Sequence, residues 1–196
     1  MTEVVETAMR VRDDAIVARA GTGTGAYAIA NPTLEERPLT ATLPANATVS
    51  GVHQQAVEDG ILIHNPAETL GGFETRIFTT TSETSDSSAP SEAVSATAAG
   101  TGYTLENGLV RVEIGEDGAL HSVFDKRIGR ETLKERGNQL WAYVDRPRAW
   151  DAWDIDETYE SNGFEITDVD RIEIVETGPL RAAIRVTRTW RDSTFV

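Results

Sequence analysis

Apolar and polar positions change rhythm twice along this chain. Between Val4 and Ala18, the apolar residues Val4, Ala8, Val11, Ala15 and Ala18 recur at helical spacing among Glu6, Arg10, Asp13 and Asp14, which predicts an amphipathic helix. From Tyr27 to Phe78, short apolar runs are broken by Asn31-Pro32, Pro38, Pro44, Asn46, Asp59-Gly60, Asn65-Pro66 and Gly71-Gly72, the punctuation of a small antiparallel β unit. The runs predict strands at Ala26–Ala30, Leu39–Leu43, Gly51–Val57, Ile61–His64 and Phe73–Thr79, with Asp59-Gly60 as a hairpin turn. Thr, Ser, Ala and Gly then dominate, and such a stretch buries too little surface to offset the entropy of ordering it; residues 81–102 read as a flexible linker.

Alternation resumes beyond the linker. Val110, Val112 and Ile114 alternate with Arg111 and Glu113, and Gly115-Glu116-Asp117-Gly118 turns the chain into Ala119–Phe124, a strong hairpin pattern. Arg171–Val175 and Arg181–Trp190 alternate again, the second placing Ala182, Ile184, Val186 and Trp190 on one face and Arg181, Arg185 and Thr187 on the other. Long strands of this kind suit a large antiparallel sandwich, and the chain reaches Val196 before such a sheet closes, which reads as truncation. The organisation expected is therefore a helix over 1–20, a small β domain over 21–80, a linker over 81–102 and the first part of a sandwich over 103–196.

Composition narrows the chemistry. Thirty-two acidic residues against 18 basic ones leave a net charge of −14, which opposes broad attraction to nucleic acid or to an anionic membrane. The absence of Cys excludes disulfides, thiolate metal sites and thiol nucleophiles. No apolar run approaches the roughly 18 to 20 residues of a membrane span, and the acidic start lacks a signal-peptide pattern, so the expectation is a cytoplasmic protein. The Gly21-Thr22-Gly23-Thr24-Gly25 run invites comparison with a phosphate loop, but a strand and a turn follow it where a helix N-terminus is needed, and it reads as a plain loop.

The densest chemistry lies between Trp141 and Tyr159, which holds three of the four Trp and two of the four Tyr. Pro147 ends a strand there, leaving Trp150–Tyr159 as a loop. Indole faces beside carboxylates suit a sugar, whose C–H groups stack on rings while paired hydroxyls donate to Asp. Three other readings stand beside this one. The rings of Trp141, Trp150 and Trp153 could be core or interface anchors, with the acids capping turns. Asp151, Asp154, Asp156 and Glu157 offer hard oxygens to calcium, but the alternating register and central Gly of a calcium loop are missing. Two of the carboxyls could form the acid and nucleophile of a glycosidase, which stand about 5 to 10 Å apart.

Several motifs here resemble a known family. They are Leu105-Glu106-Asn107-Gly108-Leu109-Val110-Arg111-Val112, Gly118-Ala119-Leu120, Phe124-Asp125-Lys126-Arg127 with Gly129-Arg130-Glu131, Gly137-Asn138-Gln139-Leu140, Asp145-Arg146-Pro147 and Trp150-Asp151-Ala152-Trp153-Asp154-Ile155. In order and spacing they resemble the C-terminal region of the retaining α-mannosidases of glycoside hydrolase family 38. Ile29-Ala30-Asn31-Pro32 with Arg37, and Gly71-Gly72-Phe73-Glu74-Thr75, resemble the small β domain before that region, and Val4–Ala18 the last helix of the family's central bundle. The resemblance implies a mainly β fold: a short N-terminal helix, a small antiparallel β domain and the start of a large galactose-mutarotase-like β-sandwich. It implies that the family's aspartate nucleophile and zinc ligands lie outside this chain, since His53, His64 and His121 show no ligand spacing. The chain would then be catalytically inert alone, with no catalytic or metal residue of its own. Its partners would be its own catalytic domain and a mannose-containing oligosaccharide. Asp151, Trp153 and Asp154, with Asp145, Trp150 and Tyr159, are carried over as substrate-binding residues. The alternative expectation is a stand-alone carbohydrate-binding or structural β-sandwich module.

Overall fold

The computed structural model describes residues 2–21, 25–80, 90–150 and 153–196. The chain is mainly β, with one N-terminal helix and several antiparallel sheets, and it divides into two compact units, residues 1–91 and 92–196.

The first unit opens with α1 (Thr2–Ala20), longer than its apolar spacing predicts. The expected stripe is not its inner face: Val4 and Val11 are exposed, while Ile16 and Ala20, one turn apart, are half-buried. Arg19 anchors this end by donating to the Thr75 hydroxyl at 3.2 Å. Gly21 closes the helix with positive φ, its N–H donating to the Val17 carbonyl at 2.8 Å. Residues 22–24 of the glycine-rich run lie outside the described residues.

Strands β1 (Ala26–Ala30), β2 (Arg37–Leu43), β3 (His53–Val57), β4 (Gly60–Leu70) and β5 (Thr75–Thr79) follow. β1 pairs with β5, and β2-β4-β3 form a second antiparallel sheet. Val57 faces Gly60 across the expected hairpin. The Asn65-Pro66 break does not end β4 as the sequence reading has it, for the strand runs on to Leu70. Leu39 pairs with Asn65 and Pro38 with Thr69, so residues 66–68 bulge out of the ladder, where a proline without an N–H forfeits no bond. Alternate positions of this sheet bury Leu39, Leu43 and Ile63 against Ile29, Val49, Val52 and Leu70, the apolar core of the unit.

In the second unit β6 (Ser95–Ala99) pairs with β7 (Gly102–Glu106), so an edge strand stands within the stretch read as a linker. Its small residues supply little burial, and the ladder to β7 supplies the order instead. Residues 81–89 of that stretch lie outside the described residues. β8 (Val110–Ile114), β9 (Leu120–Asp125) and β10 (Arg130–Glu131) complete a sheet of order β10-β9-β8-β7-β6. β11 (Trp141–Tyr143) pairs with β12 (Gly163–Glu165), while β13 (Arg171–Thr177), β14 (Ala182–Trp190) and β15 (Ser193–Phe195) form a third sheet. β13 and β14 lie against β6 and β7, and the Tyr103 hydroxyl donates to the Ile172 carbonyl at 3.0 Å between them.

Glu131 pins the β9–β10 hairpin. Its carboxylate accepts from the Ser122 hydroxyl at 2.6 Å and from the Val123 and Leu133 amides at 2.9 Å each. The Ser122 bond first, then those amides, pull its pKa from the ordinary 4.5 down to about 2. A carboxyl whose pKa is lower folded than unfolded stabilises fully above the unfolded value and loses that contribution as pH falls toward the folded one. Glu131→Gln should therefore melt below the parent at neutral pH, with the difference closing between pH 4.5 and about 2. Thermal melts across that range check it, and a constant difference would remove Glu131 as the acid-sensitive pin.

Candidate functional site

The β11–β12 ribbon positions the Trp141–Tyr159 segment. Trp141 faces Glu165 and Tyr143 faces Gly163, so the two rings rise on one side of the ribbon. They stack with centroids 6.1 Å apart and planes 22° apart, and Tyr159 meets Tyr143 edge-on at 5.2 Å. Gly163 is required for this arrangement, since a Cβ there would strike the Tyr143 ring. Phe164 leaves on the other side toward Trp190, at 6.2 Å. The other side of Glu165 is fixed by Arg136, which donates to it at 2.7 Å and also pairs with Asp117.

After β11 the chain leaves the ribbon at Val144, whose amide donates to Asn162 O at 3.1 Å, and a long loop runs to the short 3₁₀ turn Tyr159–Asn162. Asp145 bridges the loop by accepting from the Asp156 amide at 3.2 Å. Trp150 has φ +62, and its carbonyl accepts from the Trp153 and Asp154 amides at 2.7 and 2.9 Å, closing a tight turn. That turn holds both indoles out to solvent, Trp150 at 74% exposed and Trp153 at 90%. Asp154 is exposed too, and its carboxylate accepts from the Ile155 amide at 3.1 Å. Asp151 lies outside the described residues.

The structure thus joins Tyr159 to the ribbon aromatics and Asp145 to the loop's far limb, and places Trp150, Trp153 and Asp154 on one turn. Their exposure removes the core reading of Trp150 and Trp153 within this unit, and leaves the sugar-facing and interface readings. Trp141, 48% exposed, is not a core residue either.

Sequence reasoning named Asp154, Asp156, Glu157 and Tyr159 as candidates in this segment but passed over Val144, Arg146, Arg148, Thr158 and Asn162 beside them. Val144, Arg146, Asp156, Thr158, Tyr159 and Asn162 line an open hollow of about 380 Å³, and Pro147, Arg148, Asp154, Ile155, Asp156, Glu157 and Thr158 line a second of about 360 Å³. Asp156 belongs to both. Its carboxylate accepts from the Thr158 hydroxyl at 2.6 Å and amide at 2.9 Å, and these bonds, with nearby Arg148, hold its pKa below the usual carboxylate range. It is therefore an ionised acceptor, not a proton donor, at neutral pH. The Tyr159 hydroxyl is pushed up by the charge of Glu160 and by desolvation, and it keeps its proton as a donor. The alternation of Asp154, Asp156 and Thr158 was the available signal for this side of the loop. Among the described residues, no three His, Cys, Asp or Glu side chains gather as a metal centre.

Comparison with known proteins finds similarity over part of this chain. Residues 105–196 match the family model described as the glycosyl hydrolases family 38 C-terminal domain. Alpha-mannosidase G of Dictyostelium discoideum is 31% identical over 85 residues, covering 42% of this chain and 8% of that protein. Alpha-mannosidase 2C1 of Mus musculus and that of Homo sapiens are each 43% identical over 54 residues, covering 26% of this chain and 5% of theirs. The matches thus span less than a tenth of the length of these relatives. The family match begins at residue 105, so the resemblance drawn upstream, on Val4–Ala18, Ile29–Pro32 with Arg37, and Gly71–Thr75, lies outside it.

Proposed function

We propose that this chain is a non-catalytic portion of a retaining, zinc-dependent α-mannosidase that hydrolyses terminal α-mannosides, and that its Trp150–Tyr159 loop completes the sugar site of a catalytic domain on which it packs. The observation that carries the reading is the coincidence of two things: a family 38 match over residues 105–196, and within that match a turn that presents two bare indoles beside Asp154. Indole faces cover the C–H side of a pyranose, and ionised carboxylates accept from its vicinal hydroxyls. The described residues do not fit a catalytic zinc, which on this reading is held by another part of the enzyme. This chain contributes binding and orientation.

The test is kinetic. In the longer enzyme that the reading implies, Trp153→Ala should lower kcat/KM by about 10- to 100-fold, which corresponds to about 1.4 to 2.7 kcal/mol. Asp154→Asn should lower it less and in the same direction. Neither should move the melting temperature of the 196-residue chain, because both side chains are exposed in it. Unchanged kinetics with an intact fold would return the loop to a role in interface packing or solvent contact.

A further inference from the structure

We propose that His53 and His64 form a two-imidazole site for a nitrogen-preferring divalent cation on the face of the β2-β4-β3 sheet turned away from the Leu39–Ile63 core. The register sets Thr40, His64 and His53 in one row across three strands, with Thr40 opposite His64 on one side and His53 opposite His64 on the other. Side chains of one row share a face, and this face is opposite the one on which Leu39 and Ile63 reach the core. Directly opposed residues of an antiparallel pair have Cβ atoms about 4.5 to 5.5 Å apart, a gap that two imidazoles can close onto one ion with metal–nitrogen bonds of about 2 Å.

Both histidines are half-buried, so the rings have walls and keep access to solvent. The His64 Nδ1 lies 2.9 Å from the Thr40 hydroxyl. With Nδ1–H donating there, the ring is oriented and Nε2 is left with its lone pair for a metal, the second-sphere arrangement common at histidine ligands. No carboxylate joins the pair as a third ligand among the described residues, so water fills the remaining positions. Two neutral nitrogen donors select ions late in the first transition row, with Cu²⁺ bound more tightly than Zn²⁺ or Ni²⁺, and give Mg²⁺ and Ca²⁺ little to hold. A cation here ties β3 to β4 by their side chains. This inference is independent of the mannosidase reading and concerns an exchangeable ion, not a hydrolytic centre.

The experiment is a titration of the 196-residue chain with Cu²⁺, followed by electron paramagnetic resonance. One ion per chain is expected, with nitrogen hyperfine coupling from two imidazoles. His53→Gln and His64→Gln should each weaken binding at least about tenfold and leave coupling to one imidazole, and Thr40→Val should weaken it several-fold by freeing the His64 ring. His121→Gln, on the β8–β9 hairpin, should change nothing. Wild-type spectra without two-imidazole coupling would overturn the assignment whatever the variants do. So would unchanged affinity in His53→Gln, or loss of the site in His121→Gln.

Discussion

Ile63→Ala is expected to destabilise the first unit by about 2 to 5 kcal/mol, the range for emptying a fully buried aliphatic position. Ile63 and Leu39 have no solvent exposure, and both sit in the core with Val49, Leu43 and Ile29 around them. The β2–β4 ladder fixes the strands that carry them, so the surroundings collapse poorly into the void, which favours the upper part of the range. Urea titration of the chain, read by a probe in the first unit, should show a midpoint displaced by that energy with little change in slope. A shift below about 1 kcal/mol would show that the core relaxes around the cavity.

Arg188→Met is expected to cost the second unit about 2 to 4 kcal/mol, although methionine is the more hydrophobic residue. Arg188 is 5% exposed on β14, and its guanidinium donates to Ile166 O at 2.9 Å and to Asp117 O. Methionine fills a similar space and leaves both carbonyls without that donor. The loss would spread through Asp117, whose carboxylate binds Arg136 and, at 2.9 Å, His121 Nε2. Burial works to raise the Asp117 pKa, but the Ala119 amide, Arg136 and His121 together outweigh it and keep the group ionised. Gly118 beside it has φ +67, and a Cβ there would strike Val186 and Arg188, so the turn and the buried cation constrain each other. Hydrogen exchange should show the β8–β9 turn and the end of β12, where Ile166 follows Glu165, opening together in the variant. Protection lost only in β14 would mean that the carbonyls find water at no cost.

What the sequence disclosed follows from where its signals are local. Asp59-Gly60 and Gly115–Gly118 each fix a turn within a few residues, and the strands beside them alternate, so both hairpins were readable. Arg188 was not. It continues the inward row of Ala182, Ile184, Val186 and Trp190, but an arginine is assigned outward until the two carbonyls that receive it are seen, and they come from residues 22 and 71 positions away. β6 hid for the opposite reason: Ser95–Ala99 has no apolar face worth the name, and only its partner makes it a strand. At the site, Pro147 and the run of rings and acids marked a loop. The stack of Trp141 on Tyr143, and the bare Gly163 under it, depend on a β11–β12 register that no short motif specifies.

The backbone at Trp150 bears on how this loop can be altered. A residue other than glycine held at φ +62 keeps its Cβ crowded against its own carbonyl, at a cost of about 1 kcal/mol or more that glycine would not bear. Folding alone would thus favour the smallest residue at a place where the chain carries its largest, with the ring left in water. Screens that rank variants by heat resistance will therefore tend to erode this turn first. Anyone hardening the domain by such a route should hold position 150 fixed and seek gains in the ladders and cores instead.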